Sequence, residues 1–500
     1  MRSSSKKALV IGAGFAGMST ASFLAKAGWE VTVVEKNSLP GGRARKFEVE
    51  GFRFDMGPSW YWMPDIFEKY FAHFGKKVSD LYALKRLDPS YRVYFEKTNW
   101  DIPANYESFK QLLESIEPGA GKALDAFLQE AKFKYEIGVG KLVYQPGISI
   151  SEFFDKDLIK GVFKLDVFQS MKKHIAKYFT HPYIQFLMEF PVLFLGALPE
   201  DTPALYSLMN YADIKGGTWY PEKGMYSIVQ AMYDVAVDLG VQFKLGEEVN
   251  AVIIENGVAK KVKTTQLASS IQNEYNFDVV IGAGDYHHIE TNLLPKAYQS
   301  YSSQYWDSRV MAPSALLYYI GLNKKIPGAT HHALFFDTDF GLHGKEIYTT
   351  PHWPTAPLFY ASVPSVTDPT VAPEGCENLF LLIPIAAGLE GDTEAIRNAY
   401  FDMIVTRLEQ RWGVSIKDAI VYQRSFSVQD FKADYHSFKG NAYGLANTLM
   451  QTAHLKPSCK SKKIKNLYYT GQLTVPGPGV PPSLISGEVV AELIHKTYSK

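Results

Sequence analysis

The first apolar segment of the chain is a five-residue run, KALVI (7–11), of the kind that forms a strand buried on both faces. The glycine-rich turn GAGFAG follows it. Then MSTASFLAKAG repeats apolar residues at helical spacing as far as Gly28. EVTVVE is typical of a second strand, which ends at Glu35. This alternation predicts a βαβ unit whose first turn carries the glycines.

Two later segments have the same character. Residues 216–262 predict a glycine-rich loop, a helix that ends at Gly240, and strands at 241–245 and 249–254. Residues 276–294 predict a strand, a second Gly-Ala-Gly turn and a helix. Because this second turn lacks a third glycine, we interpret it as a structural turn that closes over the first one and belongs to the same sheet.

The hydrophobic patterns of 104–215 and 308–461 differ from each other. Residues 104–215 are mostly helical by pattern. The runs SALLYYIGLN and LFLLIPIAAG, both within 308–461, indicate strands of a second, mixed sheet. The chain therefore predicts an α/β dinucleotide-binding part and a separate α+β part.

The residues of the first turn suggest what it binds. Gly12 permits a tight turn, Gly14 lets the backbone approach a pyrophosphate, and Gly17 lets helix and strand pack closely. Unpaired N–H groups at the start of the helix face the phosphates. Glu35 is placed to accept hydrogen bonds from ribose hydroxyls. The motif predicts a bound dinucleotide.

Composition excludes several classes of function. The 500 residues are 46% hydrophobic, enough for two or three domains, and Lys plus Arg equals Asp plus Glu at 52, so no net charge indicates nucleic acid. Cys376 and Cys459 have no metal-ligand spacing and fit a reducing interior. Adjacent histidines, as at His331-His332, are poor chelates, so we expect no metal. The apolar runs are too short for a transmembrane helix.

An extension beyond Glu35 narrows the dinucleotide. PGGR (40–43) is suited to wrap a second stretch of backbone around a pyrophosphate, with Arg43 beside its charge, and DMGP (55–58) forms another tight stretch. A nicotinamide cofactor must dissociate after the reaction, whereas a flavin stays bound. An extension that closes over the cofactor therefore favours a flavin. Together, GAGFAG, Glu35, GGRA and DMGP resemble the flavoprotein family of amine oxidases, protoporphyrinogen oxidases and carotenoid desaturases.

Longer motifs make the resemblance more specific. FRFDMGPSWYWMPDIFEKYFAHFGK, GTWYPEKGM and YYTGQLTVPGPGVPPSLISGEVVAELI look like the bacterial and fungal type of phytoene desaturase, a family that includes hydroxycarotenoid 3,4-desaturases. The resemblance implies noncovalent FAD, a C40 carotenoid substrate and hydride transfer to the flavin N5. An amine oxidase of the same fold and a non-catalytic flavin- or carotenoid-binding protein are the alternatives.

The resemblance also implies the contacts of the cofactor. A late strand (466–472) returns to the cofactor, and the helix after VPGPGVPP points its N-terminus at the flavin ring. For proton removal Glu222 is a candidate, and the final electron acceptor, oxygen or a quinone, stays open. The residues expected to contact FAD are Gly12, Gly14, Phe15, Ala16, Gly17, Glu35, Lys36, Gly41, Gly42, Arg43, Gly57, Pro58, Val249, Gly282, Asp285, Gly471, Gly479, Val480 and Pro481.

The expected architecture is a Rossmann-like FAD-binding domain that is discontinuous in sequence, with a mixed α+β substrate domain and a helical membrane-facing part. The FAD-binding domain takes 1–85, 220–295 and 462–500. A mainly helical part that contacts substrate and membrane takes 86–219, and a substrate-binding domain with a mixed sheet takes 296–461.

An insoluble polyene must pass from bilayer to flavin, so we expect monotopic, peripheral membrane contact on the cytoplasmic side. The candidate surfaces are the charge-poor stretch 184–198 and the cluster 60–63, with Lys172, Lys173 and Lys177 near anionic headgroups. Phe186 and Phe194 are the apolar positions on which the first candidate depends. The alternative for this stretch is ordinary core.

Overall fold

The structure is a computed structural model, and it describes residues 5–149, 165–193 and 196–499. Its strands are β1 Lys7–Ile11, β2 Glu30–Glu35, β3 Lys46–Val49, β4 Phe52–Asp55, β5 Leu84–Arg86, β6 Tyr91–Phe95, β7 Asn99–Ile102, β8 Trp219–Pro221, β9 Gln242–Leu245, β10 Glu247–Glu255, β11 Val258–Gln266, β12 Gln272–Asn276, β13 Val279–Gly282, β14 Ser314–Leu322, β15 His332–Phe336, β16 Phe359–Ser362, β17 Glu377–Ile385, β18 Ile420–Phe426 and β19 Leu467–Tyr469.

The α-helices alternate with these strands at the two ends of the chain and cluster in its middle. They are α1 Phe15–Lys26, α2 Pro64–Ala72, α3 Tyr106–Ile116, α4 Ala120–Gly138, α5 Met171–Ile175, α6 Pro182–Leu193, α7 Leu208–Tyr211, α8 Tyr226–Asp238, α9 Tyr286–His288, α10 Ser303–Asp307, α11 Phe340–Tyr348, α12 Glu394–Trp412, α13 Val428–Tyr435 and α14 Val480–Tyr498.

A five-stranded parallel sheet has the order β19-β13-β1-β2-β9. Its strands come from distant parts of the chain because each is a short apolar run that is buried on both faces, as the central strand β1 shows. Strand β1 pairs with β2 on one side and with β13 on the other. The chain therefore changes direction across the sheet at β1, which is the position where parallel sheets of this type bind ligands.

A seven-stranded mixed sheet has the order β18-β14-β17-β16-β15-β6-β7. Its central strands are buried on both faces, which explains their continuous apolar runs. On β14, Leu316 and Tyr318 contribute to the core beside helix α12, whereas Leu317 and Tyr319 contribute to the core on the opposite face. The alternation of side chains along a strand thus supplies two cores from one run.

Helices α3 to α7 pack against the core that contains Leu317 and Tyr319. Helix α3 begins at the N-cap Asn105, whose side chain accepts from the Ser108 backbone N–H, and its few apolar residues face inward. Smaller sheets connect the parts: β10, β11 and β12 form an antiparallel meander, and β5 pairs with β8. The mixed α/β fold agrees with the fold class that the sequence predicts; its division into three domains stays a prediction.

The expected exposed surface at 184–198 is not present in the described residues. Ile184, Met188 and Phe190 are buried with at most 1% of their surface exposed, because helix α6 lies inside the core rather than on it. Most of the cluster at 60–63 is also buried, and Tyr61 is fully buried. The prediction of an apolar patch there is wrong, since a charge-poor run serves a core as well as a lipid surface.

The other residues named for the membrane contact differ in their exposure. Phe186 is half-buried and stacks on Phe340 with ring centroids 5.5 Å apart, and Phe194 lies outside the described residues. Lys172, Lys173 and Lys177 are exposed, as expected. Across 5–149, 165–193 and 196–499, every helix is too short or too polar to span a bilayer.

Candidate functional site

The three glycines of the first turn have three different surroundings. Gly12 has a φ of 107°, a left-handed conformation that favours glycine. A Cβ atom added to Gly17 would lie 2.0 Å from the Gly12 carbonyl oxygen, so helix α1 can approach β1 only without a side chain there. A Cβ atom added to Gly14 would meet no atom of the described residues within 4 Å. The backbone at Gly14 therefore borders open space at the start of α1, where a phosphate group fits.

Glu35 lies at the end of β2, directly beside this turn. Its Oε2 accepts a hydrogen bond from the Ala13 backbone N–H at 2.7 Å, and its Oε1 accepts from the backbone N–H of Asn37 at 2.9 Å. The carboxylate is thus held in place by the loops on both sides. Lys36 points elsewhere, because its Nζ donates to the Ala433 carbonyl oxygen at 2.6 Å.

The second glycine stretch packs on the first. The Gly41 backbone N–H donates to the Ala13 carbonyl oxygen at 2.8 Å, and a Cβ atom added to Gly42 would lie 3.3 Å from the Gly14 Cα. Both residues have positive φ angles, 116° and 55°, so glycine is favoured at each position. The two glycine stretches therefore pack directly on each other, and the wrapping of the second stretch around a pyrophosphate stays a prediction.

Arg43 follows in a half-buried position. Its guanidinium donates to Ser437 Oγ at 2.9 Å and to the Asn441 carbonyl oxygen at 3.1 Å, and it lies over the ring of Tyr435. Burial lowers the pKa of Arg43, while the nearby Asp285 carboxylate opposes that shift. Its Nε is buried and has no hydrogen-bond partner among the residues that the structure describes. A cation with such a buried donor close to the glycine turns fits an anionic ligand.

The DMGP segment lies between the two glycine stretches and helix α8. Asp55 accepts hydrogen bonds from the backbone N–H groups of Met225 and Tyr226 at 2.7 and 3.0 Å, so it caps the start of α8. Burial raises the pKa of Asp55 to about 6. A Cβ atom added to Gly57 would lie 2.5 Å from the Arg43 carbonyl oxygen, and half-buried Pro58 continues the segment.

The late strand and helix return to the same place. Helix α14 begins at Gly479, which has a φ of 113°, and Val480 and Pro481 form its first turn. The helix packs directly on α1: a Cβ atom added to Gly487 would lie 2.5 Å from the Ala16 carbonyl oxygen. Phe15 joins the core cluster that also holds the start of α14.

Gly471, with a φ of 112°, follows strand β19. A Cβ atom added to it would lie 3.8 Å from the Ala16 Cβ. Its backbone N–H donates to Ser486 Oγ at 2.9 Å, which ties the turn after β19 to helix α14. The first and the last elements of the chain therefore meet at the glycine turn.

The second Gly-Ala-Gly turn has a packing role. The Ala283 N–H donates to the Ile11 carbonyl oxygen at 2.9 Å, and a Cβ atom on Gly282 would lie 2.8 Å from the Ile289 side chain. Asp285 caps α9 by accepting from the His288 N–H at 3.0 Å, and burial raises its pKa. Val249 is buried in β10.

A cavity of about 690 Å³ lies beside the seven-stranded sheet. Strands β15, β16 and β17 and helix α11 form most of its wall, with side chains such as Leu334, Phe336 and Phe340. None of the described residues that line it carries a formal charge at neutral pH, because burial lowers the pKa of its one histidine, His343, to about 4. Another cavity, of about 460 Å³, contains Arg53 and Asp55 and is more polar.

One residue that lines the uncharged cavity is connected through neighbouring residues to the glycine site. Tyr443 lines the cavity, and a Cβ atom on the next residue, Gly444, would lie 2.8 Å from the Gln472 carbonyl oxygen. Gln472 directly follows Gly471, which lies beside Ala16 as described above. The Tyr443 side of the cavity is therefore joined by direct packing to the segment that meets helix α1.

Glu222 lies away from this cavity. Its side chain is 43% exposed and forms an ion pair with Lys85 at 3.1 Å. A surface carboxylate paired with an ammonium group is poorly placed to take a proton from a ligand in the cavity. The position gives the expected role as a base no support.

The sequence missed two groups of residues. Ser437 and Asn441, which hold Arg43, and the cavity tyrosines Tyr348, Tyr360 and Tyr443 carry no motif. Each of them meets its partners only through tertiary packing between segments that are distant in the chain. No local pattern of residues could have identified them.

Comparisons with known proteins agree with this geometry. Residues 15–495 match the model of the family described as flavin containing amine oxidoreductase. The chain is 40% identical to a carotenoid 3,4-desaturase of Haloarcula japonica over 97% of both chains. It is 28% identical to a zeta-carotene-forming phytoene desaturase of Myxococcus xanthus, over 97% of this chain and 93% of that one.

A solved structure of similar fold is that of an oxidoreductase from Methanosarcina mazei. It superimposes with a TM-score of 0.62 at 17% identity and covers 97% of this chain and 100% of its own. At this identity the likeness shows the fold alone.

Proposed function

Because the chain belongs to the flavin containing amine oxidoreductases, and within them to the carotenoid desaturases, we propose that it is an FAD-dependent carotenoid desaturase that introduces C=C bonds into a C40 carotenoid. The observation that carries this proposal is the uncharged cavity beside the seven-stranded sheet, whose lining includes Tyr443. An amine substrate is a cation at neutral pH and would be left unpaired there, at a high cost in desolvation. A polyene, in contrast, gains free energy by burying its apolar surface.

We propose that FAD is held noncovalently. Gly14 and Gly42 leave room for the pyrophosphate, the start of α1 supplies backbone N–H donors, and Arg43 supplies a positive charge with a buried Nε donor. Glu35 accepts from the ribose hydroxyls as well as from Ala13. The N-terminus of helix α14 at Gly479 faces the ring with its partial positive charge.

Bound FAD supplies the hydride acceptor for the reaction. The residues of this chain orient the polyene, because hydride transfer requires the donor carbon within about 3–3.5 Å of the acceptor. The walls of the cavity, from Leu334 to Tyr443, exclude water and fix the carbon that approaches. Positioning, rather than an acid or a base at Glu222, is the main contribution of the protein.

Anaerobic reduction tests the proposal. An acyclic C40 carotene, added in detergent micelles to the purified yellow protein without oxygen, is expected to bleach the visible absorbance of the oxidised flavin and to lengthen the polyene chromophore. Putrescine serves as the matched amine and is expected to leave the flavin oxidised. Bleaching by the amine and not by the carotene would show an amine oxidase. Admission of oxygen or of a quinone then identifies the reoxidant, for which we propose these two classes.

We also propose peripheral contact with one leaflet of a membrane, on the cytoplasmic side, since the substrate is insoluble in water and no disulfide joins Cys376 to Cys459. Exposed apolar side chains lie close together at 449–455, where Met450 is 70% exposed and Leu449 43%. Wild type is expected to float with liposomes, and Met450→Glu is expected to weaken flotation while the protein stays yellow. Equal flotation of both would exclude this segment as the contact.

A further inference from the structure

One polar group in the uncharged cavity has no partner. Tyr348, the last residue of helix α11, lines the cavity, and its hydroxyl is buried. Among the residues that the structure describes, none donates to this hydroxyl or accepts from it. Burial, and after it the nearby Tyr443, raises the pKa of Tyr348, so the hydroxyl keeps its proton at neutral pH.

Two other polar side chains of the same wall have hydrogen-bond partners. Tyr360 Oη lies 2.6 Å from His332 Nδ1. His343 accepts from the Leu358 N–H at 3.0 Å through Nδ1, and its Nε2 lies 2.9 Å from the Pro384 carbonyl oxygen. Tyr348 thus differs from Tyr360 and His343, whose polar atoms are paired within the protein.

A buried hydroxyl without a partner costs free energy, because it has lost its hydrogen bonds to water. A phenylalanine at this position would fill almost the same volume without that cost. A ligand that carries an oxygen atom at the right place would accept a hydrogen bond from Tyr348 and remove the penalty, whereas a pure hydrocarbon would leave it. The unpaired hydroxyl thus favours one class of polyene over another.

We propose that Tyr348 is a specificity-determining residue whose hydroxyl donates a hydrogen bond to a hydroxyl group on the end of the carotenoid. This inference rests on the proposed desaturase function and selects, between a hydrocarbon and a hydroxylated C40 polyene, the hydroxylated one. Tyr443 lines the same cavity as Tyr348, and the next residue, Gly444, packs against Gln472, which follows Gly471. We therefore place the oxygenated end on the side of the cavity toward the cofactor and expect the new C=C bond near that end of the chain.

The test compares two acyclic C40 polyenes that differ only in a tertiary hydroxyl at one end. Both are supplied in detergent micelles to flavin-loaded protein, and kcat/KM is measured for wild type, Tyr348→Phe and the control Phe340→Leu. Wild type is expected to prefer the hydroxylated polyene. Tyr348→Phe is expected to lower kcat/KM for that polyene about tenfold, the equivalent of one neutral hydrogen bond, and to leave the hydrocarbon unchanged. Phe340→Leu changes only apolar contact and should affect both polyenes alike.

Quenching of tryptophan fluorescence by each polyene gives a second readout, in which Tyr348→Phe should weaken binding of the hydroxylated polyene alone. Equal kcat/KM of wild type for the two polyenes would overturn the proposal without any variant. An equal loss for both polyenes in Tyr348→Phe would also overturn it and would leave the desaturase function standing. If neither polyene reduces the flavin of wild type, the proposed function fails and this inference fails with it.

Discussion

Gly14 and Gly17 belong to one turn, yet an added Cβ atom would meet nothing within 4 Å at Gly14 and would lie 2.0 Å from the Gly12 carbonyl oxygen at Gly17. Gly14 has an ordinary φ of −76°, so a larger residue there is not strained. We therefore expect Gly14→Val to fold normally and to lose bound flavin, because its side chain occupies the space of the pyrophosphate. The ratio of flavin to protein absorbance after purification measures this.

Gly17→Val is the matched variant. It should lose stability rather than only flavin, because helix α1 must move away from β1 to admit the side chain. Thermal unfolding of the two variants separates these outcomes. A yellow Gly14→Val protein with a full complement of flavin would refute the assignment of the pyrophosphate site.

Replacement of the Glu35 carboxylate by an amide should weaken flavin retention without changing the fold. Both oxygens of Glu35 accept from backbone N–H groups, of Ala13 and of Asn37. In Glu35→Gln one of these acceptors becomes an NH₂ group that faces a donor, at a cost of about 1–3 kcal/mol. The rate of flavin loss on dialysis is the measurement. Glu248→Gln, which changes a half-buried carboxylate that pairs with His436, is the control and should leave that rate unchanged.

The contact between the first and last helices should be sensitive to a single methyl group. In Gly487→Ala the new Cβ would lie 2.5 Å from the Ala16 carbonyl oxygen, so the two helices must separate, at a cost of about 1–3 kcal/mol. The free energy of unfolding and flavin retention should both fall. Gly216→Ala, where a Cβ meets nothing within 4 Å, should be close to neutral. Equal effects of the two substitutions would contradict this interpretation.

His343 predicts a pH dependence of stability. Burial lowers its pKa from 6.5 to about 4, so between these values the unfolded chain binds a proton that the folded protein does not. The stability that His343 contributes is complete above about pH 6.5. It decreases as the pH is lowered, by up to about 1.4 kcal/mol for each pH unit, until the folded-state pKa is reached.

Burial raises the pKa values of Asp55 and Asp213 to about 6, so these two groups add stability as the pH is lowered through the same range. The effect of His343 is therefore measured as the difference in stability change between wild type and a His343 variant. His343→Gln keeps one acceptor for Leu358 and one donor for Pro384 and removes the titration. Urea unfolding at pH 7 and at pH 5 should show a smaller loss of stability in His343→Gln than in wild type. Equal losses would show that His343 is not the group responsible.

The sequence predicted well what a few adjacent residues determine. The glycines at 12, 14 and 17 and the acid at Glu35 act through the backbone of one βαβ unit, so their spacing is visible in the chain. Strands β14 and β17 were visible as apolar runs for the same reason. Helix α6 was not, because an uncharged run has the same composition whether protein or lipid covers it.

The cavity was beyond local reasoning. Tyr348 ends a helix, Tyr360 lies in a strand and Tyr443 lies in a loop, and the three side chains line one cavity only because the fold brings these elements side by side. Whether a tyrosine hydroxyl is paired depends on its neighbours in space. That property belongs to the packing and not to any stretch of sequence.

Strand β19 completes the parallel sheet from the end of the chain, and helix α14 after it rests on α1. The ribosome therefore synthesises the glycine turn at 12–17 long before the elements that cover it. The βαβ unit that carries this turn stays uncovered until strand β19 and helix α14 have been synthesised. Flavin binding therefore requires that helix α14 has been synthesised. Chains that stop before Leu467 are expected to stay colourless even when their N-terminal part folds.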